Sequence, residues 1–329
     1  MNKIDIVIVG AGLTGIMAAR TLTDKGYEVL LIDKGKSVGG RMSTRRIDGG
    51  KVDHGAQFFT VRTERFQSEV DQWLSQGFIK SWFGENHSRF MSPGGMNALA
   101  KTLAQDLSVE LKTEINQIEQ RRDGYSVSST TGKTIKTKAI MLTIPAPQTE
   151  ALLMSSKLEI DETAMEKLKQ ITFNPCFVGL FKLSNAPKLP GNGHLDQDLP
   201  KGMMRIVDHY KKGISNERTV SVYMTGQWSK AYMDEPSETV LNQMINVSKA
   251  YFDHQSILSQ QLKRWRYAEA IQFLREPYLE LSNKPPLMIA GDAFLSKQDP
   301  AKHTRIESAF TSGVLAADCM HSWLSRLSH

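Results

Sequence analysis

The sequence predicts an α/β fold, a parallel sheet with a nucleotide-binding turn, interrupted by an α+β insertion. Three observations carry that expectation. The 329-residue chain opens on an apolar run, Ile4 to Val9, followed by GAGLTG from Gly10 to Gly15. A second apolar run, Val29 to Ile32, then ends at Asp33, so the segment reads as strand, tight turn, helix, strand. Near the other end, PPLMIAGDAF reads as a short buried strand with a long amphipathic helix behind it.

The remaining elements follow in order. Leu13 to Lys25 reads as a helix closed by Gly26, because glycine accepts the left-handed conformation just past a helix end. Gly49-Gly50 turns between two short extended pieces. Phe66, Val70, Trp73 and Leu74 recur at helical spacing, and so do Met96, Leu99, Leu103 and Leu107. From Val109 to Pro147 the pattern alternates, turns at Asp123-Gly124 and Thr131-Gly132, and ends in the apolar run Ala139 to Ile144, which Pro145 and Pro147 stop. The middle of the chain mixes a helix (Thr163 to Gln170), strands (Phe177 to Leu183, Thr219 to Thr225) and Gly/Pro-rich loops around 185–202. The final helix places Ile306, Phe310, Val314, Ala317, Met320 and Leu324 on one face.

Composition narrows the function. A chain 40% hydrophobic and 23% charged is an ordinary globular protein. The net charge of +6 is scattered, with no block of five or six like charges, which argues against a nucleic-acid tail. A positive field suits a phosphate-rich cofactor or substrate; a basic solvated surface accounts for it equally. Cys176 and Cys319 stand far apart with no C-x-x-C, so neither a disulfide framework nor a metal site is expected. The first apolar run is too short to span a membrane and lacks a cleavage site behind it. The expectation is a cytoplasmic protein starting at Met1; its oligomeric state stays open.

The glycine turn has a definite chemistry. Gly10 makes the bend, Gly12 lets the main chain approach a pyrophosphate, Gly15 permits close helix–strand packing, and Asp33 accepts from ribose hydroxyls. The helix beginning at Leu13 adds amide donors for the phosphates. This unit alone leaves NAD and FAD open. Two features favour FAD: GGRMSTRR, whose glycines and Arg41 can close on the same pyrophosphate, and Gly291-Asp292 at a strand end, with a helix starting near Arg305 that can face a flavin. A cofactor contacted by both ends of the chain is long. The expected FAD-binding domain is 1–75, 96–150 and 282–329; the expected substrate domain is 76–95 and 151–281.

Taken together, GAGLTG, GGRMSTRR, VDHGAQFFT, TIPAPQ, QWS, RWRYA, GDAF and RIESAFTSG resemble the renalase family, within the flavin-containing amine oxidase superfamily, and most closely its bacterial members. The resemblance implies non-covalent FAD in a glutathione-reductase-type Rossmann-like domain, with an inserted α+β substrate domain arranged as in p-hydroxybenzoate hydroxylase. It further implies hydride transfer from 2- or 6-dihydroNAD(P) and electron transfer to O2, giving NAD(P)+ and H2O2. It assigns Gly10, Ala11, Gly12, Leu13, Thr14, Gly15, Asp33, Lys34, Gly40, Arg41 and Met42 to the adenosine and pyrophosphate, and the backbone of Ile115 to the adenine. Gln57, Phe58 and Phe59 would run beside the isoalloxazine, and Gly291, Asp292, Arg305, Ile306 and Glu307 would close the site. Three departures stand out: an extra SKQDPAKHT before Arg305, a shorter stretch from Trp82 to Gly95, and Lys263 where relatives often carry His.

A dihydropyridine already holds a transferable hydride, so the expected chemistry needs positioning and no catalytic acid or base. His54, close to these motifs in sequence, then reads as structural. Lys263, Arg264, Trp265, Arg266 and Tyr267, with Gln57, are the candidate substrate residues, as positive charge and aromatic surface for a dinucleotide; a solvated strand face is the equal alternative. Two other functions compete: an amine oxidase using Tyr267 or Tyr278 as a cage wall, and a flavin-binding protein without turnover.

Overall fold

Ile4–Val9 forms the first strand, β1, and its inner residues are fully buried, because a central parallel strand is covered on both faces and needs apolar side chains on both. The computed structural model describes residues 4–327. Behind β1 come α1 (Leu13–Asp24) and β2 (Val29–Ile32). Gly26 takes φ +87° just past α1, as expected of it. The Gly49-Gly50 turn joins β3 (Thr44–Ile47) to β4 (Gly50–Asp53), and α2 (Glu64–Ser75) follows with the Thr63 side chain capping its first turn. Phe66, Val70 and Trp73 are buried, but Leu74 is 36% exposed, since it neighbours Trp73 in sequence and so turns off the buried stripe.

A hairpin, β5 (Lys80–Phe83) and β6 (Arg89–Met91), precedes α3 (Met96–Leu103). Leu107 lies beyond α3: the Ala104 amide is shared between Ala100 O and Lys101 O, and the chain turns away there. Then come β7 (Val109–Glu110), β8 (Ile115–Arg121), β9 (Gly124–Ser129) and β10 (Thr134–Leu142). Pro145 and Pro147 also start α4 (Ala146–Met154), at positions where a missing N–H breaks no helical bond. The chain continues through α5 (Glu162–Lys169), β11 (Thr172–Leu183), β12 (His194–Leu195), β13 (Met203–Asp208), α6 (His209–Lys212) and β14 (Thr219–Met224). It finishes with α7 (Gly226–Ala231), α8 (Ser237–Ser248), β15 (Ile257–Gln272), β16 (Leu279–Asn283), β17 (Pro286–Ile289) and α9 (Ile306–Leu327).

These elements form two compact units. The first comprises Met1–Gly40, Ala100–Thr172 and Ala270–His329. In it β7, β2, β1, β10 and β17 run parallel in that order, with β16 antiparallel at one edge. Strand order reverses beside β1, the place where open α/β sheets bind ligands. Helices α1 and α9 pack face to face, and Gly313 is required there, because a Cβ would strike Thr14 O. Along α9, Phe310, Val314, Ala317, Met320 and Leu324 are buried, while Ile306 is half-buried.

The second unit comprises Arg41–Leu99 and Phe173–Glu269. Its five-stranded sheet runs β12-β13-β14-β11-β15. One face carries Phe177, Phe181, Val222 and Met224 against Val240, Leu241 and Met244 of α8. The other packs Val178, Leu180 and Tyr223 against Ile47 and Val52 of the β3–β4 hairpin. These units and the expected domains differ at 41–75 and 96–99, which fall in the second unit because the hairpin shares its core. They also differ at 151–172 and 270–281, which fall in the first because α4 packs on β8, and α5 on β16.

Candidate active site

In the first unit the glycine turn is built from both ends of the β1–α1–β2 segment. Gly10, at φ +113°, donates its amide to Ile32 O at 2.7 Å. The Asp33 carboxylate accepts from Ala11 N at 2.7 Å and from Gly35 N at 2.6 Å, so Asp33 shapes the turn itself. A Cβ on Gly15 would collide with Gly10 O, whereas one on Gly12 would meet nothing within 4 Å. Gly39 N bonds to Ala11 O at 2.7 Å, and a Cβ on Gly40 would come within 3.3 Å of the Gly12 Cα, so this second glycine pair folds over the first. Ala11, Leu13 and Thr14 are buried and offer main chain. Helix α1 has no capping side chain and no acid in its first turn. An uncapped helix start behind an open glycine suits a pyrophosphate.

The adenine side is close by. Lys112 N and Thr113 N bond to Gly35 O and Asp33 O, at 2.9 and 3.0 Å, which brings Ile115 and the start of β8 to the end of β2. Lys34 sits at the surface with its ammonium 3.3 Å from Glu114. At the far end, Ala290 N meets Leu142 O at 3.0 Å and Gly291 N meets Ser312 Oγ at 2.9 Å, so half-buried Gly291 and Asp292 follow directly on β17. Ile306 starts α9, and Glu307 behind it is buried. Arg305 departs from expectation. Its guanidinium holds both oxygens of Asp299, at 2.9 and 2.8 Å, and so clamps the additional 296–304 stretch.

In the second unit the structure corrects several assignments. Gln57 is 1% exposed and its amide is fully occupied. It donates to Asp53 O at 2.7 Å and to Tyr223 Oη, and accepts from Lys212 Nζ at 2.9 Å, so the side chain is engaged inside this unit. Lys212 and Asp53 are both fully buried, 2.6 Å apart. Asp53 also accepts from Thr44 Oγ1 at 2.5 Å and from Met96 N at 2.9 Å. Phe59 is a core aromatic among Phe66, Trp73 and Phe90. Met42 is buried too. Arg41 donates to Ala268 O at 3.3 Å, with its guanidinium 5.9 Å from the Phe173 ring centre.

Alternation along β15 splits the RWRYA cluster. Lys263, Trp265 and Tyr267 are half-buried on one face; Arg264 and Arg266 are exposed on the other. Arg264 stacks on Phe177 and donates to Glu235 O. Arg266 therefore stands on the opposite face from Lys263, Trp265 and Tyr267. On the inner face Trp265 Nε1 donates to His54 O at 2.7 Å, and the His54 ring lies stacked on the indole, centroids 5.4 Å apart. Tyr267 meets Phe173 edge-on at 5.8 Å. The other tyrosine, Tyr278, lines a groove of the first unit with Cys319 and Trp323. The network of Lys212, Asp53 and Tyr223 escaped sequence reasoning, since a lysine within DHYKK reads as solvated charge.

Burial, with Lys263 and Arg45 beside it, pushes the His54 pKa down to about 4. Burial and then Arg205 do the same to His194, also to about 4. Both imidazoles are neutral in the folded protein at neutral pH. Their contribution to stability is whole above the ordinary histidine value of 6.5 and is lost as pH falls from there towards 4, because the unfolded chain takes up protons first. Thermal melts should show Tm falling steadily across that window; a flat Tm would mean that these rings are not buried neutral.

The glycine turn, the parallel sheet and the helix following β17 define a Rossmann-like dinucleotide-binding protein. Two family descriptions match: NAD(P)-binding Rossmann-like domain over residues 8–73, and flavin containing amine oxidoreductase over residues 64–321. The chain belongs to the flavin containing amine oxidoreductase family and is an FAD-dependent oxidoreductase. Within that family it is similar to renalase of Mus musculus, 24% identical over 316 residues that span 88% of this chain and 92% of the relative. A shorter match, 32% identical over 91 residues, joins it to putrescine oxidase of Kocuria rosea, covering 28% of this chain and 19% of that one. A solved structure of putrescine oxidase bound to putrescine shares the fold with a TM-score of 0.67 at 12% identity, over 97% of this chain and 99% of that one. Among the described residues no helix is long and apolar enough to cross a membrane, and no cluster of metal-ligating side chains occurs.

Proposed function

We propose that the protein oxidises 2- or 6-dihydroNAD(P) to NAD(P)+ and reduces O2 to H2O2. The observation that carries this is the similarity to renalase along nearly the full length of both chains. Bound FAD would supply the hydride-acceptor and O2-reducing chemistry. Amides of Leu13, Thr14 and Gly15 at the uncapped start of α1 would hold its pyrophosphate, and Asp33 would take the adenosine ribose. Lys263, Trp265 and Tyr267, on one face of β15, give the substrate a positive and aromatic wall. His54, neutral and stacked on Trp265, stiffens that wall and moves no proton. Cys176 is buried with its thiol pKa raised to about 12 by desolvation, which suits non-covalent FAD.

Anaerobic titration tests the reading. Dihydro-nicotinamide isomers should bleach the flavin stoichiometrically and amines should not. Bleaching by putrescine or another amine alone would assign the amine oxidase activity instead.

The start of α9 offers a second test. Amides of Ile306 and Glu307 are proposed to stabilise negative charge on the flavin. Ile306→Pro removes one donor at a helix position that tolerates proline. Loss of such a donor costs about 2.7–4 kcal/mol in acyl-transfer enzymes, and less is expected here because flavin charge is delocalised. The variant should stay yellow, with a lower flavin midpoint potential; an unchanged potential would remove α9 from the cofactor site.

A further inference from the structure

A second cluster of the Arg41–Leu99 and Phe173–Glu269 unit lies outside the proposed substrate wall, and it includes Phe58, which was expected beside the isoalloxazine. Its hub is Phe58. The guanidinium carbon of Arg89 lies 5.3 Å from the centre of that ring, and that of Arg205 lies 5.4 Å from it. Arg89 also covers Phe83 at 4.8 Å. His194, 6% exposed, meets Phe58 at 5.5 Å and Phe83 at 5.1 Å. Trp82 closes the group, 6.2 Å from Phe58 and 5.7 Å from His194.

Three side-chain nitrogens here lack partners. Arg89 Nε, Arg205 Nε and His194 Nε2 are all buried without a hydrogen bond among the described residues. Buried donors of this kind are normally satisfied, so each one asks for an acceptor. Among the described residues no carboxylate pairs with either arginine. Asp196 is partly exposed, and at 3.7 Å from His194 Nε2 it is too far to bond. The charge of Lys212 is matched by Asp53. What remains is two positive groups and an imidazole nitrogen, a donor in its Nε2–H tautomer, beside a wall of aromatic rings.

We propose that Arg89, Arg205 and His194 form a subsite for a phosphate oxyanion, occupied by a phosphate of the dinucleotide substrate. This assignment rests on the dihydro-nicotinamide dinucleotide reading of the site. Two guanidinium groups exceed what a single carboxylate neutralises, while a pyrophosphate carries two charges and acceptors enough for all three donors. Phe58, Trp82 and Phe83 give the anion site an aromatic border, which suits the apolar edge of an adjoining base or ribose.

The test is calorimetric titration of the FAD-loaded protein with inorganic pyrophosphate and, separately, with ADP-ribose. Both should bind, and Arg205→Met should weaken both by about 10- to 100-fold, the loss expected for a charge-assisted hydrogen bond. Arg205→Lys should recover part of the affinity, and with dihydroNAD(P) the loss should fall on KM more than on kcat. Arg89→Met provides an independent second variant should the first fail to fold. A folded, yellow Arg205→Met protein that binds ADP-ribose as tightly as the parent would overturn the subsite, and so would a parent protein that binds neither ligand. Arg205-dependent pyrophosphate binding, in a protein whose flavin no dihydro-nicotinamide bleaches, would support the subsite and overturn the substrate reading instead.

Discussion

Lys212→Met should lower the unfolding free energy by about 3–5 kcal/mol, the cost of leaving one member of a buried ion pair alone. Lys212 is completely buried, and its ammonium reaches Asp53 Oδ2 at 2.6 Å, Gln57 O at 2.7 Å and Gln57 Oε1 at 2.9 Å. Burial opposes the charge, lowering the Lys212 pKa, and Asp53 works against that shift. Removing the ammonium strands a carboxylate to which Thr44 and Met96 still donate, and it leaves Gln57 O and Gln57 Oε1 without the donor they share. Lys212→Met with Asp53→Asn should regain part of the loss, because no uncompensated charge then remains. Chemical denaturation of the four members of that cycle measures the coupling. Additive effects would show that the pair is not the element holding this unit together.

Asp33→Ala should weaken FAD binding by about 100-fold or more. A charge-assisted hydrogen bond is worth about 1.5–3 kcal/mol, and each 1.4 kcal/mol is about a factor of ten. The ribose contact alone would cost one to two such factors. The structure adds a second loss, since Asp33 also holds the amides of Ala11 and Gly35 and with them the shape of the phosphate turn. Asp33→Asn keeps one acceptor oxygen and should fall between the two. Titration of apoprotein with FAD, followed by quenching of flavin fluorescence, reads the effect. Parent-like affinity in Asp33→Ala would place the ribose elsewhere.

How much of this was legible in the sequence depended on distance along the chain. Expected bounds for β1, α1 and β2 agree with the observed ones to within a residue or so, since each is fixed by local apolar runs and by glycines whose roles are local. Gly15 is the clear case: the collision its Cβ would make is with Gly10, within the same motif. Arg305 could not be read this way, because its partner Asp299 lies in a stretch without a recognisable pattern. Arg264 and Arg266 were legible in principle: strict alternation already turns them away from Lys263, Trp265 and Tyr267, and the cluster had to be divided by face rather than by proximity.

The sequence by itself determined the nucleotide turn, its acidic partner at Asp33, and the strand and helix that close the nucleotide unit, because the interactions specifying them lie within one βαβ segment or one amphipathic period. Tertiary structure alone decided that Gln57 faces inward, that Phe59 is core, and that Lys212 is buried against an aspartate 159 residues away. It also decided that Phe58 is shared by two arginines and a histidine drawn from β6, β12 and β13. Charged and polar side chains carry no periodicity of their own that marks them as buried; only the packing of distant strands removes their water, and their pairing follows from that.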